Sequence, residues 1–217
     1  MTTRPIALPV LAAIVFSACA FDAPGKSAAF VVDHACNMTG LRMTAGRALR
    51  SLFIHASWSH LASNCIALSV LGSLLEYVHG APRAVAIFFL GGILGVFGWA
   101  SYQDAAAQYV GASPGVYAVG TAFGAHLLLN WDETPGRVLW AVHLLGVAAL
   151  DVWSYAAMHD ERIAYASHVA GAFVGLFAGL ALLQNTVRRQ WEVVLEPLGA
   201  GGVLLFGILA SRAAVCD

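Results

Sequence analysis

Apolar residues along this chain gather in runs long enough to cross a bilayer, with short polar breaks between them. A spanning helix needs about 20 mostly apolar residues at 1.5 Å each. On that measure the chain predicts about seven spans: Pro5–Phe21, Leu61–Tyr77, Ala84–Tyr102, Pro114–Asn130, Val138–Tyr155, Ile163–Leu183 and Val193–Ala210. The breaks hold His79-Gly80-Ala81-Pro82-Arg83, Asp104 and its neighbours, Asp132 to Arg137, His159 to Arg162 and Arg188-Arg189-Gln190. Breaks this short force consecutive helices to run antiparallel. The expected organisation is one bundle with no linker and no soluble domain. The stretch from Asp22 to Ser59 is too polar to span. Its Phe30-Val31-Val32 and Leu41/Leu52/Phe53/Ile54 clusters predict that it folds against the membrane surface. The first run is read as a retained helix rather than a cleaved signal, because Phe16 fits a Phe-Ser-Ala-Cys cleavage box poorly.

Composition strengthens this picture. Of 217 residues, 59% are hydrophobic and 11% charged, where ordinary soluble domains are about a quarter charged. So few charges cannot cover a soluble globule, which excludes soluble enzymes, and the apolar excess excludes disorder. A net charge of −1 gives no basic field for a phosphate backbone, so no nucleic-acid partner is expected. The chain reads as a multi-pass integral membrane protein whose first partner is the lipid bilayer. With the N-terminus inside, and the four cations of the long first loop discounted, the Lys and Arg residues divide five inside to two outside, which favours that orientation. Asn37-Met38-Thr39 is then an outward-facing glycosylation sequon. Four cysteines, two of them in or near spans, make no disulfide framework.

Polar residues inside spans are costly and mark function. Three groups stand out. The second span opens His60-Leu61-Ala62-Ser63-Asn64, the fourth opens Gly111-Ala112-Ser113-Pro114-Gly115-Val116-Tyr117, and the sixth carries Ser167-His168 before Gly171, Gly175 and Gly179. All three lie near N-terminal ends of even-numbered helices, which point the same way, so they reach one side of the membrane at similar depth. His60 and Asn64 are i,i+4 and share a face. Ser113, Tyr117, Gly120 and Gly124 form one stripe, and His168, Gly171, Gly175 and Gly179 another. Small-residue rows let membrane helices approach closely, and meshing these two stripes is expected to bring Ser113 and His168 within hydrogen-bond reach, the arrangement in which a base activates a serine.

The remaining chemistry of peptide hydrolysis follows from that pair. A tetrahedral oxyanion needs preorganised donors. The side chains of His60 and Asn64 can donate, as can the Ser113 N–H at a helix N-terminus. Pro114 is read at the first helical position, which makes Ser113 the N-cap. No carboxylate is obviously placed to complete a triad: Asp151 lies on the fifth span, which runs the opposite way, and the expectation is a Ser–His dyad.

These residues resemble the rhomboid family of intramembrane serine proteases, most closely its secretase-type branch. The family's second-helix pattern is matched by His55-Ala56-Ser57-Trp58-Ser59-His60-Leu61-Ala62-Ser63-Asn64, with Glu76 closing the helix. Its nucleophile motif is matched by Gly111-Ala112-Ser113-Pro114-Gly115-Val116-Tyr117, and its sixth-helix motif by His168, Gly171 and Gly175. The resemblance implies an all-α membrane fold, a six-helix bundle over about 47–184 plus one C-terminal helix over about 193–211, all in one domain. It implies Ser113 as nucleophile, His168 as general base, His60 and Asn64 in the oxyanion hole, and Tyr117 beside the His168 ring, with Gly111 and Gly171 supporting the site. The implied substrates are transmembrane proteins, cut from the extracytoplasmic side, with no metal and no cofactor. Two positions depart from the family pattern. Pro114 replaces the glycine that usually follows the serine, and Gly46-Arg47 replaces a Trp-Arg pair in the first loop.

Plainer roles stand beside these. A serine at a helix start is usually an N-cap, and a lone histidine in a bundle is usually packed and hydrogen-bonded, the class in which His126 and His143 are placed. His55 is read as a structural hydrogen-bonding residue of the loop. The rival functions are a rhomboid-like pseudoprotease that binds membrane clients without cutting them, a haem or metal protein using paired histidines, and a small transporter. No His-Glu-x-x-His or Cys-x-x-Cys spacing supports the second, and no internal repeat supports the third.

Overall fold

The computed structural model describes residues 8, 9, 11–13, 15, 36, 37, 44–101, 108–158, 164–187 and 189–213. The helices are α1 (Ala45–Ser51), α2 (Trp58–His79), α3 (Ala81–Ala100), α4 (Ser113–Leu129), α5 (Arg137–Met158), α6 (Tyr165–Leu182) and α7 (Leu195–Ala213). Five of them, α2, α3, α5, α6 and α7, are long and apolar enough to cross a membrane. α4 has 17 residues, about 25 Å at 1.5 Å per residue, which still suffices for a core helix. A short antiparallel bridge pairs β1 (Cys36–Asn37) with β2 (Gln108–Tyr109).

The helix ends differ from the sequence reading by a few residues, and at α2 a side-chain cap is the reason. Ser57, in extended conformation, accepts the His60 N–H at 3.1 Å and starts α2 three residues early. Residues 68–72 of α2 form a π-helical turn, beyond which Leu75, Glu76 and His79 are buried. Of the first predicted span, residues 8, 9, 11–13 and 15 are helical, and Leu8, Leu11, Ala12 and Val15 are buried. They pack on α2: Leu8 lies against Gly72, and its N–H donates to Glu76 Oε2 at 2.9 Å. The rest of that span, Met38 and Thr39 of the sequon, Phe16 to Cys19, and residues 102–107 and 159–163 lie outside the described residues.

The described part of the first loop folds onto the bundle. Leu52, after α1, is fully buried with Val96, Trp99 and Tyr109. Its methyl group would stand 2.6 Å from a Cβ at Gly92, so only glycine admits it there. Gly46 has nothing within 4 Å of where its Cβ would be, and the aromatic position that it replaces is open space.

α4 is the central helix, buried along almost its whole length, and its packing corrects one expectation. Of the two stripes expected to mesh, only that of α6 is buried in the contact between α4 and α6. A Cβ at Gly171 would strike the Pro114 carbonyl, one at Gly175 the Ala118 carbonyl, and one at Gly179 would stand 2.7 Å from Ala125 Cβ. The α4 face presented to α6 is therefore Pro114, Ala118, Ala122 and Ala125. Gly120 and Gly124 look instead toward Leu71 of α2 and Leu144 of α5. The physical reason is that alanines already allow close approach from one side when the partner brings glycines.

α5 is different. No residue of its apolar stretch is fully buried. Toward its start, Trp140 meets Phe123 edge-on at 5.3 Å; toward its end, Ser154 Oγ and Tyr165 OH lie 2.9 Å apart. His143 is exposed on this helix with only an edge contact to Trp140 at 6.3 Å. It is not the packed, hydrogen-bonded histidine that its position in an apolar run suggested, because α5 faces outward.

At the C-terminal ends of α2 and α4 two buried histidines form a closed network. The Gln184 N–H donates to His79 Nδ1 at 3.1 Å, which leaves the proton on His79 Nε2 to donate to His126 Nδ1 at 2.9 Å. His126 Nε2 then faces Thr134 Oγ1 at 3.1 Å, whose hydroxyl donates to the Asn130 carbonyl at 2.6 Å. Asn130 Oδ1 accepts the Thr186 N–H at 2.6 Å. Every ring nitrogen has a partner.

Candidate active site

The N-terminal ends of α2, α4 and α6 meet on the opposite side of the bundle from the His79–His126 pair. The Ser57 cap fixes the first turn of α2, and His60 and Asn64 project from it one turn apart. The His60 ring lies against Gly111: a Cβ there would stand 2.7 Å from His60 Cε1 and 2.9 Å from Nε2. Gly111 also has φ +127°. Close approach and a backbone conformation closed to other residues both require glycine at this point. Its N–H donates to the Ser51 carbonyl at 2.9 Å, which ties the turn to α1.

His55 buttresses this turn from behind. It is buried, its ring meets His60 edge to face at 5.0 Å, and its Nε2 accepts the Ala112 N–H at 3.4 Å. Burial, and secondarily the nearby His60, push its pKa down to about 3, so the ring is neutral at physiological pH.

Ser113 is the first residue of α4, and Ala112, not Ser113, occupies the cap position, with no side-chain cap bond. The N-cap role expected for Ser113 is therefore not taken, since the helix begins one residue earlier. Its buried hydroxyl instead lies 3.3 Å from Tyr109 OH. That phenol donates to the Gly111 carbonyl at 3.1 Å and stands 3.5 Å from Ser167 Oγ. Pro114 sits at the second helical position, where a missing N–H breaks no helical hydrogen bond. Its ring fills the space left by Gly95, whose Cβ would stand 2.5 Å from it.

His168 lies one turn before Gly171, the residue seated on the Pro114 backbone. The ring stacks on Tyr117, centroids 4.2 Å apart and planes at 15°. Tyr165 meets it edge-on at 6.0 Å. The structure thus brings Ser113 and His168 to one end of one helix pair, but the serine hydroxyl rests on Tyr109 and makes no hydrogen bond to the imidazole. Two buried polar atoms here have no hydrogen-bond partner, Asn64 Nδ2 and His168 Nδ1. A buried polar atom without a hydrogen bond has capacity that a bound group can satisfy.

One residue was missed and one was set aside. Tyr109 holds the serine hydroxyl, and nothing in its apolar surroundings singled it out. Asp151 Oδ1 lies 3.6 Å from His168 Nδ1 and accepts the Tyr117 hydroxyl at 2.9 Å. The absence of a placed carboxylate is corrected by helix direction. Because α5 runs antiparallel, its C-terminal half comes level with the N-termini of α4 and α6. The legible signal was a carboxylate inside an apolar span. Among the described residues, no group of three His, Cys, Asp or Glu side chains is placed to hold a metal ion.

Residues 42–185 match the family model described as Rhomboid domain. The chain is 33% identical over 164 residues to Rhomboid-related protein 1 of Caenorhabditis elegans, covering 72% of this chain and 45% of that protein. It is 29% identical over 159 residues to Rhomboid-related protein 3 of Homo sapiens, covering 69% and 39%. It is 24% identical over 157 residues to Rhomboid-type serine protease 2 of Emericella nidulans, covering 70% and 30%. The matched segment spans less than half the length of each of these relatives.

Proposed function

The chain belongs to the rhomboid family, a multi-pass membrane fold, and on that footing we propose that it is an intramembrane serine endopeptidase acting on transmembrane protein substrates. The observation that carries this reading is the meeting of α2, α4 and α6 at their N-terminal ends, where Gly171 seated on the Pro114 backbone brings His168 and the buried Ser113 to one end of one helix pair, and Asn64 Nδ2 is buried without a hydrogen bond.

Ser113 Oγ leaves its resting contact with Tyr109 and attacks the scissile carbonyl carbon. A bond forms between Oγ and that carbon, the carbonyl π pair moves onto oxygen, and the hydroxyl proton passes to His168 Nε2. The oxyanion is met by Asn64 Nδ2, by the His60 ring held against Gly111, and by the Ser113 N–H at the start of α4. The imidazolium then gives its proton to the leaving amine, and water completes the turnover by cleaving the acyl–serine ester. Apo sites often hold these contacts long, and they tighten on substrate binding. The N-inside orientation, from the distribution of Lys and Arg, opens the site toward the extracytoplasmic face.

A second reading is favoured by two features. Pro114 follows the serine, and the serine hydroxyl rests on a tyrosine; a client-binding pseudoprotease fits both. A fluorophosphonate probe separates the two. An enzyme is labelled at Ser113, and labelling disappears in Ser113→Ala together with cleavage of a transmembrane model substrate. A folded protein that is never labelled overturns the protease reading.

A further inference from the structure

Asp151 is the one carboxylate in the apolar stretch of α5, a helix with no fully buried residue. A carboxylate at that depth is costly unless partnered. Its partners are both site residues. Tyr117 OH donates to Oδ1 at 2.9 Å, and His168 Nδ1 stands 3.6 Å from the same oxygen. Nδ1 is buried and makes no hydrogen bond, and Asp151 Oδ1 is the carboxylate oxygen that faces it. Tyr117 orders both groups at once: its ring fixes the plane of the imidazole by stacking at 4.2 Å, while its hydroxyl aims the carboxylate at that ring's edge. A distance of 3.6 Å is an ion-pair separation rather than a hydrogen bond. A small displacement closes it into a hydrogen bond.

We propose that Asp151 is a positioning residue that holds His168 in the tautomer protonated on Nδ1 and turns Nε2 toward Ser113. Asp151 takes no proton in this step. It stays ionised while Nε2 accepts the serine proton, and it faces the positive ring that results. The inference rests on the serine-protease reading. A carboxylate that merely docked α5 would act on substrate binding and thermal stability and leave the imidazole indifferent.

The full chain in lipid nanodiscs is assayed with a fluorogenic transmembrane substrate. Asp151→Asn keeps the shape and removes the charge. It is expected to lower kcat on the order of 100-fold with KM and Tm unchanged, and Asp151→Glu is expected to recover much of that loss. Ser154→Ala, which removes the neighbouring α5–α6 hydrogen bond without touching His168, is expected to keep wild-type kcat. Nitrogen-15 NMR of the wild-type His168 ring reads the tautomer directly, with the proton expected on Nδ1. An unchanged kcat in Asp151→Asn, a loss confined to KM and Tm, or a wild-type ring protonated on Nε2 overturns the proposal. Ser113→Ala in the same assay separates the two claims. If it still cleaves, the protease reading falls. If it is inactive while Asp151→Asn is fully active, only the role of Asp151 falls.

Discussion

The protein holds two histidine-centred polar clusters, one at each end of the α2–α4 pair, and they are built on opposite principles. At the C-terminal end, His79 and His126 form a chain in which each ring nitrogen has a partner and loop backbone from Asn130 to Thr186 closes the remaining valences. At the N-terminal end, Asn64 Nδ2 and His168 Nδ1 are buried and left without hydrogen bonds, and the serine hydroxyl has only a weak contact at 3.3 Å. Both clusters are costly to bury. The first recovers that cost in the folded state. The second leaves part of it unrecovered: Asn64 Nδ2 has no hydrogen bond, and His168 Nδ1 has Asp151 Oδ1 only at 3.6 Å. Satisfaction of the polar atoms, rather than residue type, separates the two clusters.

The contrast is broken most directly by deletion at each end. Ser113→Ala and His168→Ala are expected to reduce cleavage of a transmembrane substrate by about 1000-fold or more, with unfolding temperature nearly unchanged. His168→Ala with normal cleavage would end the assignment. His126→Leu is expected to do the reverse. It strands the His79 Nε2–H and removes the ring partner of Thr134 Oγ1, costing about 1–3 kcal/mol of stability, while kcat of the folded fraction stays at the wild-type value.

Gly171→Val joins the two effects. Its side chain must displace the Pro114 backbone, at about 1–3 kcal/mol, and it separates His168 from Ser113, so activity and Tm fall together in paired assays. His55 sharpens the comparison through pH. Its folded pKa of about 3 lies below the unfolded value of 6.5, so its neutral form is preferred by the fold. The stability is fully present above pH 6.5 and lost as pH falls toward 3, by up to roughly 1.4 kcal/mol per pH unit. Thermal unfolding from pH 8 to 4 is expected to show that slope, and His55→Gln to flatten it. The smallest effect is expected from Pro114→Gly, which preserves or raises activity, since the first-turn proline breaks no helical bond. Loss of cleavage would mean that the ring shapes this site through its seat on Gly95.

Much of this organisation was written in one dimension. The apolar runs place the helices, and the parity of the spans puts His60, Asn64, Ser113 and His168 at one height without any contact information. The α6 stripe of Gly171, Gly175 and Gly179 announces a close approach, because the absence of a side chain is a property of the residue itself. The partner of that approach was not legible. Pro114, Ala118, Ala122 and Ala125, rather than Gly120 and Gly124, receive it, since small side chains of either kind suffice and only the rotation of α4 chooses between its faces.

Asp151 shows the same division. Its presence in an apolar span is a matter of sequence, whereas its proximity to His168 depends on the tilt and rotation of α5, a helix whose exposed sides carry no pattern that would fix either. Sequence thus indicated which polar residues gather at one end of the bundle, because helix direction and burial cost are local or additive. The tertiary structure alone decided which polar atoms are satisfied and which are left open, because hydrogen bonding depends on separations of tenths of an ångström between segments far apart in the chain.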